Sequence, residues 1–223
     1  MPAPFHPPLA TVAPEASRTG VVWGSHLPRL MSVLTLSSPR PSVLDAFRGP
    51  QARVAVQVAG IVGFASLAAL GAQARVYIWE VPVTLQTLAV YGSGLFLGSR
   101  NGALSMALYL LAGLAFPVFA SGAFGADYLL GATGGYLLSY PLVALLVGRL
   151  TERWTSFWGA AAAMTLGSVL LFTSGATWSH VAAGHATWWE SIVKGALLFI
   201  AFDLAKVWLA AGAFSGLRRL SRG

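Results

Sequence analysis

The chain contains no cysteine, which excludes disulfides, thiolate metal sites and cysteine nucleophiles. Charge is almost as scarce. Charged residues make up 9% of the 223 positions, against roughly 25% in a typical soluble domain, and so few could not clothe the surface of a soluble fold. Seven charges fall within residues 1–53, three within 218–222, and only eleven in the 164 residues between. That distribution excludes a soluble enzyme, an ordinary nucleic-acid binder and a disordered protein. No phosphate loop of the form G-x-x-x-x-G-K-[ST] occurs, so the chain shows no means of hydrolysing ATP. The alternating ten-residue segments of an outer-membrane barrel are missing, as is any internal repeat of the inverted secondary-transporter kind.

Apolar sequence is what remains, at 56% of the chain. A helix needs about 20 apolar residues to cross a hydrocarbon core of ~30 Å, and six stretches qualify: 54–72, 82–99, 101–117, 128–148, a part of 154–189 near 157–178, and about 192–213. The expected fold is therefore all-α, a polytopic membrane bundle of six transmembrane helices over 51–217, followed by a basic C-terminus at 218–223. Placing both termini in the cytoplasm puts eleven Lys and Arg inside and only Arg75 outside, with Lys194 and Lys206 within the sixth span. That is the positive-inside pattern, and it explains the pI near 10.4 without nucleic acid as a partner. Trp79, Trp154, Trp158, Trp178, Trp188 and Trp189 fall near span ends, where an amphipathic ring prefers the interface. Residues 1–50 hold nine of the twelve prolines. They read either as a disordered cytoplasmic tail or as a start assigned too early, with Met31 the next candidate.

Polar residues inside the spans are the candidates for chemistry. Asp203 and Lys206 stand one helical turn apart on one face of the sixth span. Charge at that depth is costly and needs a partner or a wet cavity. The pair reads either as a mutually neutralising structural bridge or, preferred here, as a substrate site in which the acid takes N–H donors and the lysine an anion. A second concentration lies in the loop 116–127, with Pro117, Phe119 and Ser121, and in the run Gly131-Ala132-Thr133-Gly134-Gly135-Tyr136. Its glycines suit close approach either of a ligand or of another helix. Thr84 and Gln86 read as an interhelical hydrogen bond. His180, His185 and Glu190 fit no zinc spacing and read as loop residues. Gly92-Ser93-Gly94 reads as a close helix contact. Ala55, Ala59 and Gly63 form a small-residue stripe for a helix of this chain or of another subunit.

Several of these segments together resemble the BioY family, the biotin-binding S-components of energy-coupling-factor (ECF) transporters. The signatures are Pro82-Val-Thr-Leu-Gln-Thr87, Leu97-Gly-Ser-Arg-Asn-Gly-Ala103, Leu108-Tyr-Leu-Leu-Ala-Gly113, Pro117-Val-Phe-Ala-Ser-Gly122, the glycine run ending at Tyr136, and Asp203-Leu-Ala-Lys206. They occur in order over about 54–213. Ala132 departs from the family's usual proline within the glycine run. The resemblance implies a multi-pass subunit of the bacterial inner membrane that binds biotin on its outer side and has no ATPase site or cofactor of its own. It also implies partnership with a transmembrane coupling subunit and two ATPase subunits, docked through the Ala55/Ala59/Gly63 face. The ligand set it implies is Gln86, Phe119, Ser121, Tyr136, Asp203 and Lys206. A self-sufficient secondary carrier, with Asp203 as a proton site, is the alternative.

Overall fold

The computed structural model describes residues 47–48, 53–77 and 82–220. The tail read over 1–50 lies outside the described residues except for Phe47 and Arg48, as do Trp79 and Arg222. Helix α1 (Val54–Gln73) leads into a ribbon of two three-residue strands, β1 (Arg75–Tyr77) and β2 (Pro82–Thr84), paired antiparallel with Val76 opposite Val83. Then come α2 (Gln86–Ala115), a 3-10 turn (Ala120–Gly122), α3 (Ala126–Leu129), α4 (Gly134–Thr151) and α5 (Phe157–Ala182). The chain closes with α6 (Trp188–Ile192), a π-helical turn (Val193–Leu197) and α7 (Leu198–Leu220).

Among the described residues five helical stretches are long and apolar enough to cross a membrane, and one of them folds back into two passes. Helix α2 reverses at Gly98, whose φ of 80° and ψ of −177° belong to a region that is essentially glycine-only. The reversal is evident from contacts. Gln86 Nε2 donates to Tyr109 Oη at 2.5 Å, although a straight helix would hold residues 23 apart at ~34 Å. A Cβ on Gly102 would lie 2.9 Å from the Ser93 backbone. The expected six passes are thus present, with the turn near Arg100 where the charge pattern put it.

Three boundaries differ from expectation. The second span is expected as helix from 82, but 82–84 is a strand and Leu85 a bend that leads into the helix. Pro82 offers no N–H, Val83 and Thr84 are β-branched residues suited to a strand, and Thr84 Oγ1 accepts the Gln86 N–H to open the helix. The limb 86–97 is only ~18 Å long, so the extended stretch completes its depth. The fourth span was read from 128, but α4 starts at Gly134 after α3 and a turn through Gly131. The sixth gains a π turn ahead of α7.

The first limb of α2 is the centre of the bundle: residues 89–95 are all buried, as befits a helix apolar on every side. Glycines permit the approaches around it. A Cβ at Gly94 would meet the Ala144 carbonyl at 2.5 Å, and one at Gly148 would meet the Ser99 backbone at 2.4 Å. Helix α1 packs on α2 by one face only, and Ala55, Ala59 and Gly63 face away from the bundle.

Arg48 ties together the end of the bundle that carries the Gly98 turn. Its guanidinium donates to the Gly94 and Leu95 carbonyls and to Thr151 Oγ1, and it lies over the Phe214 ring at 5.6 Å. Burial pulls its pKa down to about 10, which leaves it cationic at neutral pH. Arg100, Arg149, Arg153, Arg218 and Arg219 gather at this same end. The ribbon, the loop 116–133 and the α5–α6 turn form the other.

Candidate ligand-binding site

At the end opposite the Gly98 turn the helices part around a small cleft with largely apolar walls and a few polar groups, the usual design of a small-ligand site. Each wall has a local cause. The strand at 82–84 and the bend at Leu85 bring Thr84, Gln86 and Thr87 into the cleft lining; non-helical backbone at membrane depth is tolerated where it lines a cavity. Tyr128 comes from α3, while Tyr136 and Tyr140 come from α4. Phe172 comes from α5 and Phe199 from α7. Asp203 and Lys206 enter from α7 one turn apart.

The two charges do not form an ion pair with each other; no Lys or Arg lies within bridging distance of Asp203 among the described residues. Asp203 is 3% exposed and is held by hydroxyls instead. Tyr91 Oη donates across both carboxylate oxygens at 2.9 and 3.0 Å, and Ser168 Oγ donates to Oδ2 at 2.5 Å. Lys206 Nζ donates to the Thr84 carbonyl at 2.7 Å and to Thr87 Oγ1 at 2.8 Å. An ammonium has three donors and a carboxylate about four acceptor sites. Each group therefore keeps hydrogen-bonding capacity beyond its protein partners. The structural bridge, the less favoured of the two readings, is absent, and the arrangement presents an acceptor and a donor side by side. It suits a ligand that carries N–H and C=O on one rigid edge.

The other expected residues divide. Gln86 lines the cleft; its Nε2 donates to Tyr109 Oη on the second limb of α2, an interhelical bond as expected, and its Oε1 accepts from the neighbouring Thr84 Oγ1 at 3.0 Å. Tyr136 also lines it. Its ring fills the space that a Cβ on Gly175 would occupy, 2.0 Å away, and its hydroxyl donates to the Gly195 carbonyl at 2.5 Å. That bond ties α4 to the π turn, a local irregularity often found at functional sites. Phe119 does not line the cleft. It is fully buried behind it, stacked on Tyr128 at 5.3 Å and edge-on to Tyr109 at 5.6 Å. Ser121 is exposed in the 3-10 turn at a φ of 65°, outside the cleft lining, where its neighbour Ala120 contributes instead.

Gly134 and Gly135, left open between ligand and helix contact, serve helix contact. Cβ atoms there would meet Trp178, at 2.9 Å for Gly134 and 2.3 Å for Gly135, and Trp178 Nε1 donates to the Gly131 carbonyl at 2.9 Å. His180 and His185 both face Ser191 Oγ, at 2.9 and 3.0 Å, while Glu190 pairs with Lys194 at 2.8 Å. No group of metal-binding side chains is present among the described residues. Sequence reasoning missed Tyr91, Ser168, Thr87 and Tyr140. A buried tyrosine hydroxyl needs a partner, and that need was the available signal for Tyr91 and Tyr140.

A six-pass bundle with aromatic walls and a few convergent polar groups at one end defines a membrane protein that holds a small solute. The chain belongs to the BioY family, whose model matches residues 44–223. It is similar to the biotin transporter BioY of Thermotoga maritima, with 34% identity over 158 residues that cover 70% of this chain and 92% of that protein. It is similar also to a probable biotin transporter BioY of Pyrococcus horikoshii, at 32% over 155 residues, covering 68% and 90%. In fold it resembles the 2.1 Å crystal structure of the S-component for biotin from an ECF-type ABC transporter. The TM-score is 0.67 at 23% identity, covering 73% of this chain and 90% of that one.

Proposed function

We propose that this chain is a biotin-binding S-component that takes up biotin as part of an ECF transporter. The observation that carries the reading is the juxtaposition of Asp203 and Lys206, unpaired with each other in one cleft. Biotin brings a ureido ring with two N–H donors and one carbonyl, a thioether ring and a valerate carboxylate. A ureido N–H meets Asp203, and an oxygen of the ligand, carbonyl or carboxylate, meets Lys206. Tyr136 packs on the bicyclic ring, and Gln86 adds a polar contact. Phe119 supports the wall from behind through Tyr128, and Ser121 shapes the loop over the cleft.

The arginine-rich end is the cytoplasmic one by the positive-inside rule, which turns the cleft outward in a bacterial inner membrane, with both termini inside. Residues 51–217 are the membrane domain and 218–223 a basic cytoplasmic end. The chain acts as a binding subunit and not as an enzyme; ATP is hydrolysed by two ATPase subunits joined through a transmembrane coupling subunit. The outward face of α1 suits that docking, since Ala55, Ala59 and Gly63 are exposed and a Cβ at Gly63 would meet nothing within 4 Å.

Uptake of labelled biotin in cells that lack their own importer tests the assembly. Uptake is expected only when the coupling and ATPase subunits are co-expressed, and it should vanish when the ATPase phosphate-loop lysine is replaced. Uptake by this chain alone that collapses with an uncoupler would instead establish a secondary carrier using Asp203 as a proton site.

A further inference from the structure

Asp203 borders two cavities. One is the cleft, and the other is an apolar groove between α5 and α7 that also takes in Ser168, Val169, Ile200 and Leu204. A carboxylate at such a boundary has two directions in which to turn, and only one presents it to a ligand. Two hydroxyls hold it from outside the cleft. Tyr91, on the central limb of α2, is fully buried and does not line the cleft; its Oη straddles both carboxylate oxygens at 2.9 and 3.0 Å. Ser168, on α5, lines the groove and grips Oδ2 at 2.5 Å. The two hydroxyl oxygens lie 2.8 Å apart. Three helices therefore converge on one side chain, and Oδ1, with Tyr91 as its protein donor, is the oxygen left for a ligand N–H.

We propose that Tyr91 and Ser168 are positioning residues for ligand recognition: they fix the plane of the Asp203 carboxylate, with Ser168 holding Oδ2 at the groove side and Oδ1 left for the ligand, without touching the ligand themselves. The inference rests on the reading of the cleft as a biotin site. Gly167 supports the arrangement, since a Cβ there would meet Val147 Cγ2 at 2.9 Å and Tyr91 Cε1 at 3.8 Å. The glycine lets α5 lie close against α4 next to Ser168, with the Tyr91 ring in ordinary contact beside it.

Calorimetric titration of biotin on the purified full chain tests this with Tyr91→Phe, Ser168→Ala and Ser168→Thr. A hydrogen bond to a charged group corresponds to roughly a tenfold change or more. Tyr91→Phe and Ser168→Ala are each expected to weaken biotin by about tenfold, and Ser168→Thr, which keeps the hydroxyl, to stay near wild type. On an Asp203→Ala background the two losses should disappear, because coupled residues are not additive. A residue that only stabilises the bundle would lose affinity equally on either background, and that result overturns the proposal. Wild-type affinity in both Tyr91→Phe and Ser168→Ala overturns it too. If the wild-type chain binds no biotin, the functional reading fails and takes this inference with it. If wild type binds and Asp203→Ala is weak while the hydroxyl variants are normal, only this inference fails.

Discussion

Asp203→Asn is expected to weaken biotin binding by at least ~30-fold, since truncating one side of a buried, hydrogen-bonded charged contact costs about 2–5 kcal/mol. The substitution is nearly isosteric, so the loss is chemical. Tyr91 and Ser168 both donate to the carboxylate, and the ligand N–H is a third donor. An amide puts an NH2 group toward at least one of them, creating a donor facing a donor. Lys206→Ala is expected to cause a comparable loss with a second effect. It leaves the Thr84 carbonyl without the ammonium that satisfies it in the extended segment, so the ligand-free protein should also melt at a lower temperature. Calorimetry with both variants decides the matter. Wild-type affinity in both would remove this pair from the site.

Gly148→Leu should abolish accumulation of a folded, monodisperse protein. A Cβ at this position would sit 2.4 Å from the Ser99 amide nitrogen and 2.6 Å from the Gly98 carbonyl carbon. The obstacle is backbone at the apex of the α2 hairpin, which cannot swing aside as a side chain would. Overpacking a core typically costs about 1–3 kcal/mol, and here it also pries apart the interface where Gly94 lies against Ala144. Gly212→Ala is the internal contrast. That glycine is exposed on α7 with nothing within 4 Å of its Cβ position, and an alanine in a helix gains about 0.5–1 kcal/mol over glycine. Size-exclusion profiles and melting curves in one detergent should show Gly148→Leu aggregated and Gly212→Ala at or above wild type. Equal behaviour of the two would contradict the close α2–α4 contact.

The membrane passes were legible because charge is excluded from hydrocarbon, so every span end is marked by Arg, Glu or a turn. Hydropathy does not distinguish helix from extended chain, however, and that hid the strand at 82–84 and the turn before Gly134. Asp203 and Lys206 stood out for the same reason the spans did, as charges where none is expected. Their partners carried a much weaker signal. Tyr91 and Ser168 are ordinary in an apolar helix, where a serine can return its hydroxyl to the preceding turn, as Ser168 also does toward Met164. Only tertiary packing brings α2, α5 and α7 to one carboxylate. The loop holding Phe119 and Ser121 stood out in the sequence, but their place in the ligand set came from the family resemblance. The geometry sets Phe119 behind the wall and Ser121 outside the cleft lining because the turn at 120–122 points Ala120 inward.

A thermal-shift panel of vitamins on the purified chain, without any coupling subunit or ATP, tests the central claim most directly, since a ligand stabilises the state it binds. Biotin alone is expected to raise the melting temperature, saturably, and the shift should be lost in Asp203→Asn. No shift with biotin, or a larger one with a vitamin lacking a ureido group, would contradict the account.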